Sequence, residues 1–309
     1  MPTAKEILNR MNSVVETQKI TNAMYLIAST KLQKARKDLQ NTRPYFDALL
    51  AEIKRIFRVD EDIENRFFYP PGKDITHEGR YGILVITGDK GLAGSYNQNV
   101  IREALKVMKE HPDHELFVVG EFGRKYFNSH NIPLRENFLY TAQNPTTRHA
   151  REICAYMLER YIDGCIDKIY IVYTDMEKGE ATPRSSRLLP FHRSNFVSPI
   201  AVEKPLKDRF EFRPSLEGIL DGIVQSYVSG FVYSALVDSY CCEQNARMSA
   251  MDASNRNAEE LLTALGIQYN RVRQAAITQE ITEVTAGARA QKLKRLKKKR
   301  KAKRCIQEG

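Results

Sequence analysis

The chain has 309 residues, 48 of them Lys or Arg and 38 Asp or Glu, for a formal net charge of +10. Eleven of the basic residues and a single acid, Glu308, fall between 289 and 309, so the remainder holds 37 of each sign and is neutral. A neutral body argues against a chain-wide nucleic-acid surface, and no stretch reads as a membrane span: Ile223 to Val237 is uncharged but only 15 residues long, short of the roughly 20 that a bilayer needs.

Residues 1–60 are expected to form one long helix. Met1-Pro2-Thr3-Ala4-Lys5-Glu6 leads straight into it, so neither a signal peptide nor a transit peptide is expected. From Ile7 through Met11, Val14, Gln18, Thr21, Tyr25, Ala28 and Leu32, and on to Ile53 and Ile56, residues recur at alternating steps of four and three. That spacing marks a coiled-coil seam. The same pattern returns at the other end, from Leu216 and Leu220 through Gly230, Ser234, Cys241, Gln244 and Asn255 to Val272 and Ala276. No proline follows Pro214, so one helix can run from Leu216 to Gly287, roughly 108 Å.

The simplest topology folds the chain back so that 1–60 and 211–290 pair antiparallel, leaving a central domain over 61–210 and a basic tail over 291–309. Ile56 level with Leu216 puts the start of the chain level with about residue 270. The last turns before Gly287 are then unpaired and have few large apolar anchors, which suits a tip enclosed by another protein. Gln18, Thr21, Gly230, Ser234, Gln244 and Asn255 make the seam impure, which lowers stability and fixes register or permits movement.

The middle alternates strands and helices. Tyr81–Thr87, Glu115–Gly120 and Asp167–Thr174 read as strands, with Arg187–Phe191 as an edge strand. Asn97–Lys109, Glu121–Ser129 and a stretch from a cap at Asn144-Pro145 to Ile162 read as helices. The fold class expected is α/β, a Rossmann-like domain with a parallel sheet carried on the antiparallel coiled coil.

The first strand leads into a glycine-rich turn, Gly88-Asp89-Lys90-Gly91-Leu92-Ala93-Gly94. A phosphate loop needs its lysine and hydroxyl after the last glycine. Here Lys90 precedes it and GxGxxG spacing is absent, so the turn reads as a tight strand-to-helix connection. The five cysteines form no CxxC pair and suit a reducing compartment. Cys241 and Cys242 read as small seam residues. His111 and His114 flank Pro112, which breaks any helix that would align them on a metal. No catalytic residue, cofactor site or metal site is expected.

Several strings are more specific than their periodicity. Ser13-Val14-Val15-Glu16-Thr17-Gln18-Lys19-Ile20-Thr21-Asn22-Ala23-Met24, Asn245-Ala246-Arg247-Met248-Ser249-Ala250-Met251, and Arg273-Gln274-Ala275-Ala276-Ile277-Thr278-Gln279-Glu280-Ile281 with Gly287-Ala288 resemble the gamma subunit of F-type ATP synthases. The central turn with Asn97 is similar to that family's as well. The resemblance implies a rotor shaft that couples ion flow through a membrane ring to ATP synthesis or hydrolysis, without catalysis of its own. It implies alpha and beta subunits around the shaft, and an epsilon-type subunit and the membrane c-ring beside the head. It offers no role for nucleic acid or direct membrane insertion.

By the same resemblance Met24, Arg273, Gln274, Thr278 and Gln279 contact beta-subunit loops. About twenty mostly basic residues follow where the family usually stops, and their role is not inherited. They are expected to be solvated, with an acidic protein surface, anionic lipid and nucleic acid left open as partners. Asn22 stands where a lysine is common. No cysteine pair lies between Tyr173 and Leu216, so the chloroplast regulatory insertion is absent and the cytoplasmic face of a bacterial plasma membrane is the expected location. An adaptor without ATPase partners and a nucleotide-dependent enzyme using the 88–94 turn remain as alternatives.

Overall fold

The computed structural model describes residues 3–59, 63–70, 79–177, 180–192, 196 and 215–307. In chain order the elements are α1 (Ala4–Val59), β1 (Tyr81–Ile86), α2 (Tyr96–Glu110), β2 (His114–Val119), α3 (Glu121–Ser129), α4 (Thr147–Ile162), β3 (Lys168–Glu177), β4 (Glu180–Leu189) and α5 (Leu216–Gln307). Two compact units divide the chain: Met1–Ala23 with Asp252–Gly309, and Met24–Met251.

In the first unit α1 and α5 run antiparallel. Ile7 and Leu265 are buried. The polar seam residues pair across: the Gln18 amide donates to Glu259 at 3.4 Å, Thr21 donates to Asn255, and Asn255 donates to Asn22 Oδ1 at 2.6 Å. An unpaired amide here would cost more than the bond returns, so each polar layer disfavours a shifted register. Every seam position through Val272 is buried or half-buried, and every residue from Arg273 to Arg295 is exposed. Cover therefore ends within two residues of the expected level.

In the second unit β1 is central and buried throughout, and the sheet order is β2-β1-β3-β4. β1 pairs parallel with β2 and β3, whereas β4 pairs antiparallel with β3, so the sheet is mixed and not wholly parallel. The edge strand is also longer than expected, and its companion Phe191 forms an isolated bridge with Phe68. The helix after Asn144 begins later than expected. Thr146 is the N-cap, its hydroxyl accepting from His149 N at 3.2 Å. Asn144 takes φ 48°, so Pro145 precedes the cap and is not the first helical residue.

Alternation along β1 sends side chains to two cores. Leu84 and Ile86 join Ile53, Ile56 and Phe57 of α1, Ile153 and Met157 of α4, and Leu220, Val224 and Val228 of α5. Ile83 and Val85 join Val100, Ile101 and Ala104 of α2 and Phe127 of α3. Each fully buried large side chain contributes about 1.5–3 kcal/mol. From Leu220 to Arg247, α5 is buried well beyond a single seam because α1 covers one face and the sheet the other. Cys241 and Cys242 display this: adjacent in sequence, both buried, they belong to different cores. Burial raises both thiols, to about 11 and about 12, and keeps them inert.

Gly230 is buried where α5 crosses Phe46 of α1, and a Cβ there would lie 2.1 Å from the Phe46 ring. Gly230→Ala is expected to lower the stability of the full chain by about 1–3 kcal/mol in chemical denaturation, with Phe46→Leu recovering part of the loss.

Burial, and next the nearby Asp175 carboxylate, raise Asp238 on α5 to about 6 from 3.8, against a hydrogen bond from Ser234 and the charge of Arg43. Between those values the folded chain keeps a proton that the unfolded chain has released, so stability falls as pH rises through this window and the loss is complete above about pH 6. Asp238→Asn is expected to unfold at a higher temperature than the parent at about pH 7 and to lose that advantage near pH 4.

Candidate functional site

The glycine turn after β1 is closed by its own side chains. Gly88 N donates to Asn97 Oδ1 at 2.8 Å, and Asn97 Nδ2 reaches Lys90 O at 3.4 Å. Thr87 Oγ1 donates to Val119 O at 2.9 Å and accepts from Gly123 N at 3.1 Å. Gly120, at φ 97°, fits here because a Cβ would stand 2.3 Å from Thr87 O.

Asp89 is the hub. Its carboxylate accepts from Glu121 N at 2.9 Å, Ala142 N at 3.1 Å, Gln143 N at 3.2 Å and the Thr141 hydroxyl. It therefore caps α3 and holds the 141–143 segment.

From below, α5 closes the turn. A Cβ on Gly88 would sit 2.9 Å from the Glu243 carboxyl carbon. Arg247 donates to Gly91 O at 3.1 Å and to Glu243 Oε1 at 2.6 Å. Burial raises Glu243 and Arg247 opposes the shift. A phosphate needs free amide donors and positive charge. Here the Gly88 and Glu121 amides are already bonded, and two carboxylates border the turn. This bonding fits the reading of a tight strand-to-helix turn. The sequence does carry a sign of Glu243 and Arg247: opposite charges four residues apart in a stretch, between Asp221 and Asp252, whose one other charge is Asp238.

The predicted contact residues lie on the shaft. Met24 is half-buried on α1. Arg273, Gln274, Thr278 and Gln279 are exposed on α5. At about 100° per residue these four span roughly 240° of the helix, so they suit an enclosing partner more than one flat face. Two bonds are local: Thr278 Oγ1 to Gln274 O at 2.9 Å and Gln279 to Glu283 at 3.0 Å. Between them runs a stripe that periodicity on its own could have revealed. Ile277, Ile281 and Val284 follow i, i+4, i+7 spacing and are 47%, 60% and 71% exposed. Among the described residues no group of three His, Cys, Asp or Glu could hold a metal ion.

A family model described as ATP synthase matches residues 3–291. The ATP synthase gamma chain of Caldanaerobacter subterraneus subsp. tengcongensis is 39% identical over 291 residues, covering 92% of this chain and 98% of that protein. The chain belongs to the ATP synthase gamma-chain family. A gamma chain from Acetivibrio thermocellus is 38% identical over 292 residues, covering 93% and 98%. The sodium-ion-specific gamma chain of Acetobacterium woodii is 34% identical over 300 residues, with the same coverage. Among solved structures, the central stalk of the Tetrahymena thermophila mitochondrial ATP synthase shares the fold, with TM-score 0.53, 22% identity, and 76% of this chain and 98% of that chain covered. The Euglena gracilis mitochondrial enzyme gives TM-score 0.50 at 16% identity, covering 87% and 95%. In this gamma chain the residues after 291 lie beyond the family match.

Proposed function

We propose that this gamma chain is the central rotor shaft of an F-type ATP synthase, coupling ion flow through a membrane ring to ATP synthesis or hydrolysis. The observation that supports it best is the uncovered end of α5, where Ile277, Ile281 and Val284 form an apolar stripe that the chain itself leaves exposed. A single helix cannot bury such a stripe, so it needs a sleeve. Catalysis in this assembly lies on the beta subunits, and this chain's part is mechanical.

A turning, asymmetric shaft presents a different face to each catalytic subunit. Each rotational position then favours a different nucleotide affinity, which is a coupling free energy between shaft angle and site. Arg273, Gln274, Thr278 and Gln279, with Met24 on α1, are the proposed contacts with beta-subunit loops. Their polar groups can exchange partners as the shaft turns, which an apolar lock could not do without large strain. The remaining proposed partners are the alpha subunits, an epsilon-type subunit and the c-ring. The functional division is 1–60 and 211–290 for the shaft, 61–210 for the head and 291–309 for the basic tail.

The gamma chain is part of the membrane-associated synthase, and among its described residues no helix is long and apolar enough to cross a membrane. Its proposed place is peripheral, at the cytoplasmic face of a bacterial plasma membrane. Support comes from bacterial relatives at 34–39% identity.

The rotor reading is tested by co-purification: the chain is expected to come from membranes with alpha- and beta-type subunits, and recovery without them would contradict it. Arg273→Ala with Gln274→Ala is expected to lower ATP-driven ion pumping in vesicles by roughly tenfold, the equivalent of one charge-assisted hydrogen bond, while the isolated chain unfolds as before. Unchanged pumping would remove these residues from the contact.

Thirteen helical residues from 292 reach about 20 Å, enough to carry the tail's cations out of an apolar sleeve. Deletion after Ala290 is expected to leave assembly and coupled ATP synthesis intact. Loss of assembly at both low and high salt would make the tail structural.

A further inference from the structure

Along α5, Ser239, Glu243 and Arg247 are buried polar residues at four-residue spacing, with 1%, 3% and 8% of their surface exposed. They form a stripe along one face of the helix, and each reaches the head. Ser239 Oγ accepts from Thr174 N of β3 at 3.1 Å. Glu243 lies against Gly88 with no room for a Cβ between them, and Arg247 donates to Gly91 O at 3.1 Å. The turn that receives Arg247 is itself tied to α2 through Asn97 and to α3 and the 141–143 segment through Asp89. One guanidinium on the shaft is thus bonded to a turn that ties several elements of the head together.

We propose that Ser239, Glu243 and Arg247 form the torque-bearing joint that makes α5 and the head turn as one body. This rests on the rotor reading and adds which residues transmit the load.

The physical ground is the difference between apolar and directional contacts. Apolar packing resists separation, yet it is non-directional, and one smooth face can slide over another with little change in buried area. Buried hydrogen bonds to a charged group are directional and lose most of their strength on misalignment. Replacing a buried ion pair with apolar side chains of similar volume is often neutral or stabilising. The Glu243–Arg247 pair lies within α5 and is therefore a poor device for stability alone. What resists slip is the set of directional bonds that cross to the head, Arg247 to Gly91 O and Thr174 N to Ser239, with Glu243 holding the guanidinium in place. Ser239, Glu243 and Arg247 are positioning residues: they act on no substrate and hold the angle between shaft and head.

The test uses the assembled synthase in membrane vesicles, with ATP hydrolysis and ATP-driven ion pumping measured on the same preparation. Glu243→Gln with Arg247→Gln removes both charges and leaves no lone buried charge, Gln being isosteric with Glu and smaller than Arg. In this variant pumping per ATP hydrolysed is expected to fall by roughly tenfold, while hydrolysis stays within about twofold. Arg247→Lys, which keeps the pair with Glu243, is expected to retain most of the coupling.

A double variant that assembles and pumps as well per ATP as the parent would overturn the joint and leave the rotor reading standing. Failure of the parent chain itself to assemble would instead strike the rotor reading. A second measurement applies if the double variant does not assemble. On the full chain alone, hydrogen exchange at residues 88–97 is expected to quicken roughly tenfold relative to the parent, with residues 24–42 unchanged. Equal exchange at 88–97 in both proteins would overturn the proposal.

Discussion

An α-helix with an apolar stripe must lay that stripe against something, and the structure follows from how α5 meets this requirement along its length. Between Leu220 and Arg247 it is covered twice, by α1 and by the sheet. From Asp252 to Val272 it has only the seam of α1, narrower and more polar. After Val272 every described side chain is exposed, although Ile277, Ile281 and Val284 continue an apolar line. The helix therefore passes from a buried core element to a half-covered pair to an uncovered end. Each grade has its composition: Val, Leu and Tyr where cover is double, Thr, Asn and Gln in the polar layers of the pair, Ala, Thr and Gln at the tip.

That gradation explains what the sequence made legible. A seam of period 3.5 depends on one helix facing one partner, and its signal survives wherever that holds. All fifteen seam positions from Ile7 to Ile56 are buried or half-buried, and cover stops at Val272 as the level of the two ends implied. Where α5 has two partners the seam is true but incomplete, because Val224, Val228, Val232 and Leu236 lie off it and are buried as well, which a single-stripe template ignores. The strand positions of the head were legible because β1 is apolar throughout and bounded by turn residues. The direction of β4 was not, since a polar edge strand carries no mark of parallel or antiparallel pairing. The Asn144-Pro145 signal misled by two residues: proline at the first helical position is common, yet a threonine just beyond it offered a hydroxyl to the His149 amide and took the cap.

The site divides in the same way. The exposure of Arg273, Gln274, Thr278 and Gln279 follows from the end of cover, which periodicity gave. Their partners are other chains, and no single chain encodes them in its own contacts. Glu243 and Arg247 were hidden for a different reason. Two charges four apart on a helix normally describe a solvated pair of small value. Only the long-range approach of the 88–94 turn turns this one into a buried pair with backbone acceptors on the far side.

The same approach accounts for a head that has the architecture of a nucleotide-binding domain without its chemistry. In open α/β sheets the ligand crevice lies beyond the carboxyl ends of the strands where the strand order reverses. With order β2-β1-β3-β4, that place is between β1 and β3. Here the turn after β1 receives Glu243 and Arg247, and Thr174 of β3 receives Ser239. The shaft helix stands where a ligand would otherwise enter. Its carboxylate fills the space beside Gly88, and its guanidinium takes the carbonyl that faces it. The crevice is thus an anchorage, and its glycines admit the close approach of a helix in place of a phosphate. The turn that in other α/β sheets faces a ligand here grips the shaft helix.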